Sequence, residues 1–398
     1  MFIKEITAKL INNSRKKKSC EITLKTYEGT FKCSPPSGKS KGKHEVMSYN
    51  KEGINKSLSL LKHLAKQLQH KNFLIKVVDD LIQLESEINK FEKKYDKLGG
   101  NIKYALHGVF LKAAAKDNNK ELWQLINDDV NKGKKPKIPM PVGNCIGGGL
   151  HSKHIKGKRP DFQEFELIPK EKTISRAVTV NIHAYNYAKK LLKAKSQNDE
   201  NAWQTDKTNE EVLYILMQVA QKYNLRIGLD VAASAFVKKG YYEYKNKNLK
   251  RDRLDQIDYM QRLTKKYKLF YLEDPMDEED FSGFKEILNH TKRTLVIGDD
   301  LTTTNLKRLK RAVRAKAINA IIIKPNQIGS LLEVKQVVEL CNKNSVTMIF
   351  SHRSGETMDN ILADYAVGFG AHFIKTGIYG KERLIKLKRV IDIEKSLK

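Results

Sequence analysis

The chain has 398 residues, 40% of them hydrophobic and 30% charged, enough to build a barrel of about 250 residues beside a smaller domain. No apolar run reaches the ~20 residues of a membrane span, and the opening Met1-Phe-Ile-Lys-Glu5 lacks a signal peptide's apolar core; Cys20, Cys33, Cys145 and Cys341 are scattered without C-x-x-C spacing. These features exclude a membrane partner, a disulfide framework and a zinc site, and they predict a cytoplasmic protein. Net charge is +29, from 75 basic and 46 acidic residues spread along the whole chain. Clustered charge would indicate a nucleic-acid element; spread charge indicates a solvated surface that also steers anions into a cleft. Nucleic acid is thus a possible partner but not a required one.

In chain order, residues 1–34 read as β-rich: Ile3, Ile6, Ala8 and Leu10 alternate, then Cys20, Ile22 and Leu24, with a turn at Tyr27-Glu-Gly-Thr30. A Gly/Ser/Pro/Lys loop fills 34–43. Helical periodicity follows, with stripes at Leu58, Leu61, Leu64 and Leu68 and at Leu106, Val109, Phe110 and Ala113. This predicts an α+β N-terminal domain over 1–130. After the charged linker 131–137, a second domain spans 138–398. An amphipathic helix at Asn209–Tyr223 precedes six apolar runs, each ending on a polar or charged residue: Asp230, Glu273, Asp299, Lys324, His352 and Lys375. Their endpoints lie 23 to 28 residues apart except for a first gap of 43. A strand with its returning helix needs about 30 residues. The cadence therefore predicts parallel strands of a β/α barrel, with helices near Asn305–Ala315, Leu331–Cys341 and Asn360–Gly368, and a site at the C-terminal strand ends.

At those ends Asp230, Glu273 and Asp299 offer oxygen ligands to a hard cation such as Mg²⁺. Singly, each could merely cap the next helix; three together with two lysines point to a metal-lined cleft. Lys324 fits a base or an ion-pair partner, and Lys375 has the same two readings. Arg353 and Ser354, just past a strand, fit phosphate binding.

These stretches, with others, resemble the enolase family. Ser37-Gly-Lys-Ser40-Lys-Gly42 is similar to its first mobile loop, Gly148-Gly-Leu-His151 to its Gly-Gly-x-His segment, and Gln163-Glu164-Phe165 to its Gln-Glu-Phe. Leu272-Glu-Asp-Pro275, Lys324-Pro-Asn-Gln-Ile-Gly329, Ser351-His-Arg-Ser-Gly-Glu-Thr357 and Ile374-Lys-Thr-Gly377 match closely. The resemblance implies an α/β fold with a capping N-terminal domain and a glycolytic lyase interconverting 2-phosphoglycerate and phosphoenolpyruvate. It also implies two Mg²⁺ per site and a homo-oligomer, a dimer or higher. It assigns Asp230, Glu273 and Asp299 to the first Mg²⁺, Ser40 to the second, Lys324 as base, Glu200 as acid supported by Glu164 and His151, Arg353 and Ser354 to phosphate, and His352 and Lys375 to substrate. The chain departs from the family at Lys39 and Lys41 in the loop, at Asn201 and Ala202 beside the acid, and in a longer stretch after His151 that leaves His154 as an alternative histidine. A superfamily relative acting on another acid, or an enolase scaffold binding RNA or another polyanion, are the competing readings.

Overall fold

Cys20, Ile22 and Leu24 recur at every second residue and are fully buried, which puts one face of a strand against a core. In the computed structural model, which describes residues 1–39, 42–152 and 158–398, that strand is β2 (Lys18–Lys25), between β1 (Glu5–Asn12) and β3 (Thr30–Cys33) in an antiparallel sheet. The expected alternation fails in β1 beyond Ile6: Ala8 and Leu10 are exposed, because β1 is an edge strand. Four helices follow: α1 (Ile54–Leu68), α2 (Ile82–Lys94), α3 (Gly100–Asp117) and α4 (Leu122–Val130). Helix α3 is apolar on nearly every side, as a helix packed on two faces must be. It lies against β2 and β3 and reaches the barrel, where His107 Nδ1 accepts from the Leu331 amide at 3.1 Å.

The rest of the chain closes a barrel. Its elements are β4 (Met140–Gly147), β5 (Glu164–Pro169), α5 (Ile174–Leu192), β6 (Trp203–Gln204), α6 (Asn209–Tyr223) and β7 (Leu225–Asp230). The long first gap holds a small antiparallel meander, β8 (Val237–Lys238), β9 (Tyr241–Tyr244) and β10 (Leu249–Arg251), before α7 (Arg253–Tyr267). Strand–helix alternation then runs through β11 (Tyr271–Glu273), α8 (Phe281–His290), β12 (Leu295–Gly298), α9 (Leu306–Ala315) and β13 (Ala320–Ile323). It ends with α10 (Leu331–Lys343), β14 (Thr347–Ser351), α11 (Ile361–Gly368), β15 (Phe373–Lys375) and α12 (Lys381–Ser396). The six predicted runs form β7 and β11 to β15, all mutually parallel, and β15 pairs with β4 to close the ring.

One barrel strand runs the other way. β5 is antiparallel to both β4 and β7, with Glu164 opposite Asp230. Its first residue therefore lies at the mouth where its neighbours end. Beneath the mouth, Val142, Ile168, Tyr271, Ile297, Ala320, Ile322 and Ile349 fill the interior, so the barrel is a packed core with a site on top rather than a pore. Among the described residues no helix is long and apolar enough to cross a membrane.

Candidate active site

Strand register assembles the site. Asp230 and Glu273 are the last residues of adjacent strands and face each other in register; Asp299 and Lys324 follow β12 and β13 directly; Lys375 ends β15 opposite Ser351. One cleft is lined by His151, Glu164, Glu200, Asp230, Lys324, His352, Arg353, Ser354 and Lys375. Glu273 and Asp299 join it through the lysines. Glu200 comes from the loop between α5 and β6, where the Asn198 side chain accepts from the amides of Glu200 (2.9 Å) and Ala202 (3.0 Å) and locks a tight turn. Asn201 takes the left-handed conformation there (φ 62°), which asparagine tolerates, and is tied to the Tyr379 carbonyl at 3.1 Å.

Lys375 is ringed by acids. Its Nζ lies 2.7 Å from Glu273, 3.0 Å from Glu164, 3.3 Å from Glu166 and 3.5 Å from Asp230. Lys324 pairs with Asp299. Both ammonium groups are held well above the usual lysine range, burial being outweighed by the carboxylates around them. Burial also pushes Glu273 and Asp230 upward, Glu273 strongly, while Asp299 is lowered because Lys324 overcomes its burial. Glu273 Oε1 and Asp299 Oδ1 are buried without a hydrogen-bond partner. Carboxylate oxygens of this kind, two of them orphaned, are the hard donors that Mg²⁺ prefers. Asp274 also belongs to an acidic group with Asp299 and Asp300, but its two oxygens already accept the amides of Asp299 (3.0 Å) and Asp300 (2.7 Å), so it orients Asp299 from behind.

A second cluster stands beside the first. His151 Nδ1 is 3.2 Å from Glu164 and 3.7 Å from Glu200, and His352 Nε2 is 3.7 Å from the other Glu200 oxygen. Burial, then the neighbouring Glu164, push Glu200 up to about 7. Glu164 goes the other way: burial raises it, but Lys375 and His151 outweigh that and hold it well below the carboxylate range. His151 is raised, the carboxylates of Glu200 and Glu164 overcoming its burial. Two neighbouring carboxyls whose pKa values diverge in this way are suited to hold a proton on one and a charge on the other.

The family description "Enolase, C-terminal TIM barrel domain" matches residues 135–398. The enolase of Picrophilus torridus is 33% identical over 409 aligned positions, covering 99% of each chain. That of Methanosphaera stadtmanae is 33% identical over 99% of this chain and 97% of its own, and that of Pyrobaculum aerophilum 35% identical over 90% and 86%. The chain belongs to the enolase family. Enolases are phosphopyruvate hydratases, and the protein is an enzyme of this lyase class.

Where the chain departs from the enolase motifs, the structure supplies its own contacts. Lys39 donates its amide to Ser354 Oγ at 2.8 Å and its Nζ reaches Asp199 at 2.7 Å, with Arg15 on the same carboxylate at 3.1 Å. Ser37 and Gly355 exchange backbone hydrogen bonds of 2.8 and 2.9 Å, seating the loop on the turn that carries Arg353 and Ser354. Ser40 and the alternative histidine His154 lie outside the described residues; His151 lines the cleft. Arg353 meets Glu45 through two contacts of 2.9 and 3.0 Å and Asn326 at 3.2 Å. The sequence reading missed Glu45, Asp199, Glu166 and Arg383. Only Glu166 left a local signal: two residues after Glu164 on a strand, it faces the same side.

Proposed function

We propose that the protein is a Mg²⁺-dependent enolase that reversibly dehydrates 2-phosphoglycerate to phosphoenolpyruvate, in glycolysis or gluconeogenesis. The observation that carries this reading is the pairing, in one buried cleft, of an amine next to metal-type acids with a carboxyl whose pKa is lifted to about 7. Asp230, Glu273 and Asp299 would hold one Mg²⁺, and Ser40 a second. Mg²⁺ held there would supply positive charge that lowers the cost of placing a second negative charge beside the substrate carboxylate, and Asp299, as one of its ligands, would hold the Lys324 proton less tightly.

The chain's own groups do the rest. Lys324 takes the proton from C2, and the electrons of that C–H bond become the new C2=C3 double bond. Glu200 gives its proton to the C3 hydroxyl, which leaves as water; an unprotonated carboxylate there could not make hydroxide a good leaving group. Burial and Glu164 keep Glu200 protonated, and His151, 3.2 Å from Glu164 and 3.7 Å from Glu200, aims it. Arg353 and Ser354 bind the phosphate, and His352 and Lys375 contact the substrate. The N-terminal unit, residues 1–130, caps the barrel of residues 138–398 and presents the loop around Ser40. A cytoplasmic homo-oligomer accompanies this reading, and sizing chromatography with light scattering tests the assembly.

The deciding experiment mixes purified protein with 2-phosphoglycerate and Mg²⁺ and follows ultraviolet absorbance. Absorbance rises with wild type and stays flat with Lys324→Ala or with chelator. A folded wild type that gives the same flat trace as Lys324→Ala would sink the proposal.

A second reading, polyanion binding, is favoured by α9, where Lys307, Lys310, Arg311 and Arg314 are exposed on one helix. It calls for RNA affinity that falls steeply with salt and survives Lys324→Ala.

A further inference from the structure

Arg383, in the first turn of α12, is fully buried, and among the described residues it has no carboxylate within ion-pair distance. An unneutralised buried charge is costly unless something compensates it. Its hydrogen bonds show what does. Nη1 donates to the Arg353 carbonyl at 2.7 Å, Nη2 to the Ser354 carbonyl at 2.9 Å and more distantly to the Asp199 carbonyl at 3.5 Å, and Nη1 also lies 2.7 Å from His352 Nδ1. The carbonyls fix the plane of the guanidinium, and that plane fixes the imidazole.

A guanidinium has only donors and does not lose its proton in proteins. An imidazole nitrogen 2.7 Å from it must therefore present a lone pair. The ring then has one place left for its single proton, Nε2, which is the nitrogen 3.7 Å from Glu200.

We infer that Arg383 is a positioning residue that holds His352 neutral with its proton on Nε2, making it a permanent hydrogen-bond donor toward the acid side of the cleft. The inference deepens the proposed dehydration and rests on it for its catalytic meaning, though not for the tautomer. His352 then has a definite role. It donates to the substrate or to Glu200 and accepts no proton there, so acid chemistry at C3 stays with Glu200. The groups around His352 act in the same sense. Burial and Arg383 dominate, Lys375 and Lys324 add to them, and they outweigh Glu164, which works in the opposite direction, leaving His352 well below the imidazole range.

The test begins with wild-type protein carrying ¹⁵N-histidine, with the His352 signals assigned by their loss in His352→Gln. Long-range ¹H–¹⁵N spectra are expected to show an unprotonated Nδ1 and a protonated Nε2 that do not change across about pH 5.5 to 8.5. A proton on Nδ1, or a His352 that titrates in that range, overturns the inference without any variant at Arg383. In Arg383→Met, Nδ1 is no longer held as an acceptor, so the spectra are expected to show the proton shared between both ring nitrogens, and kcat/KM to fall about 10²-fold. The double variant with His352→Gln is expected to lose no more than His352→Gln alone; additive losses would mean that Arg383 acts on something else. A wild type with the expected tautomer but no turnover supports this inference while counting against the proposed reaction.

Discussion

Two buried glutamates a few ångströms apart do opposite things because their partners differ. Glu200 has His151 and His352 at 3.7 Å and, among the described residues, no lysine as an ion-pair partner, whereas Glu164 has Lys375 at 3.0 Å. The result is an acid with a pKa of about 7 beside a permanent carboxylate. The proposed dehydration needs Glu200 protonated, so kcat/KM for 2-phosphoglycerate is expected to fall along a limb above pH about 7, and that limb to vanish in Glu200→Gln together with about 10²- to 10⁴-fold of the rate. The same shift has a stability sign. A carboxyl raised from 4.5 to about 7 in the fold contributes stability that is complete below 4.5 and lost as pH rises through about 7. Glu200→Gln is therefore expected to melt at or above the wild-type temperature at pH 8.5, and a lower melting point there would contradict the assignment. Glu166 poses a sharper case. It is fully buried beside the Glu164 carboxylate, with which it shares a hydrogen bond, and burial drives its pKa well above the carboxylate range. Its contact with Lys375 is one of four and adds little that Glu273 and Glu164 do not. Glu166→Leu, which fills the place with apolar volume, is expected to stabilise the protein by about 1 kcal/mol, more at high pH than at low, as seen by denaturant unfolding at two pH values. A destabilised variant would show that Lys375 needs this fourth acid.

At the level of elements, the sequence disclosed whatever the parallel strands carry at their ends. A buried parallel strand is apolar throughout, so the charged residue that ends it stands out and must lie at the mouth. That is why Asp230, Glu273, Asp299, Lys324 and Lys375 could be read as one group from spacing alone. Glu164 escaped that logic because β5 is reversed: its functional residue is its first, and only motif resemblance pointed to it. Arg383, Glu45 and Asp199 escaped altogether, since their importance comes from contacts across sequence distances that no periodicity encodes. Expectations about β1 failed for a related reason. Alternation predicts two faces, but an edge strand need not bury one along its full length. The loop of residues 34–39 extends this lesson to function. It is tied to the barrel by the Ser37–Gly355 pair and by Lys39, whose ammonium spans to Asp199, the neighbour of Glu200. The Lys39–Asp199 pair is partly exposed, at 18% and 26%, so it is worth about 0.5–1 kcal/mol. Lys39→Ala is expected to raise KM about 2- to 5-fold with little change in kcat, and Lys39→Arg to restore it. An unchanged KM in steady-state assays would mean that the loop is held shut by its backbone contacts alone.

At the scale of the whole molecule, a site built from carboxylates sits in a chain of net charge +29. The substrate proposed for it carries a phosphate and a carboxylate, so the far field attracts what the near field, without its cations, repels. The attraction acts over distances that salt controls: the Debye length is about 10 Å at 0.1 M ionic strength and about 3 Å at 1 M. At fixed, saturating Mg²⁺, kcat/KM is therefore expected to fall several-fold, up to about 10-fold, between low salt and ~0.5 M KCl, while kcat, measured with substrate already bound, holds nearly constant. A parallel fall in kcat would place the salt effect inside the site and remove the long-range field as its cause. The same series separates steering from polyanion binding. Lys307, Lys310 and Arg314 are three of 75 basic residues, and replacing them with glutamine leaves the net charge strongly positive. The triple variant is thus expected to keep the wild-type salt dependence of kcat/KM. If α9 is a polyanion surface, RNA affinity drops in that variant and its log–log salt slope becomes shallower by about 3; if the charge is only a solvated shell, neither quantity moves.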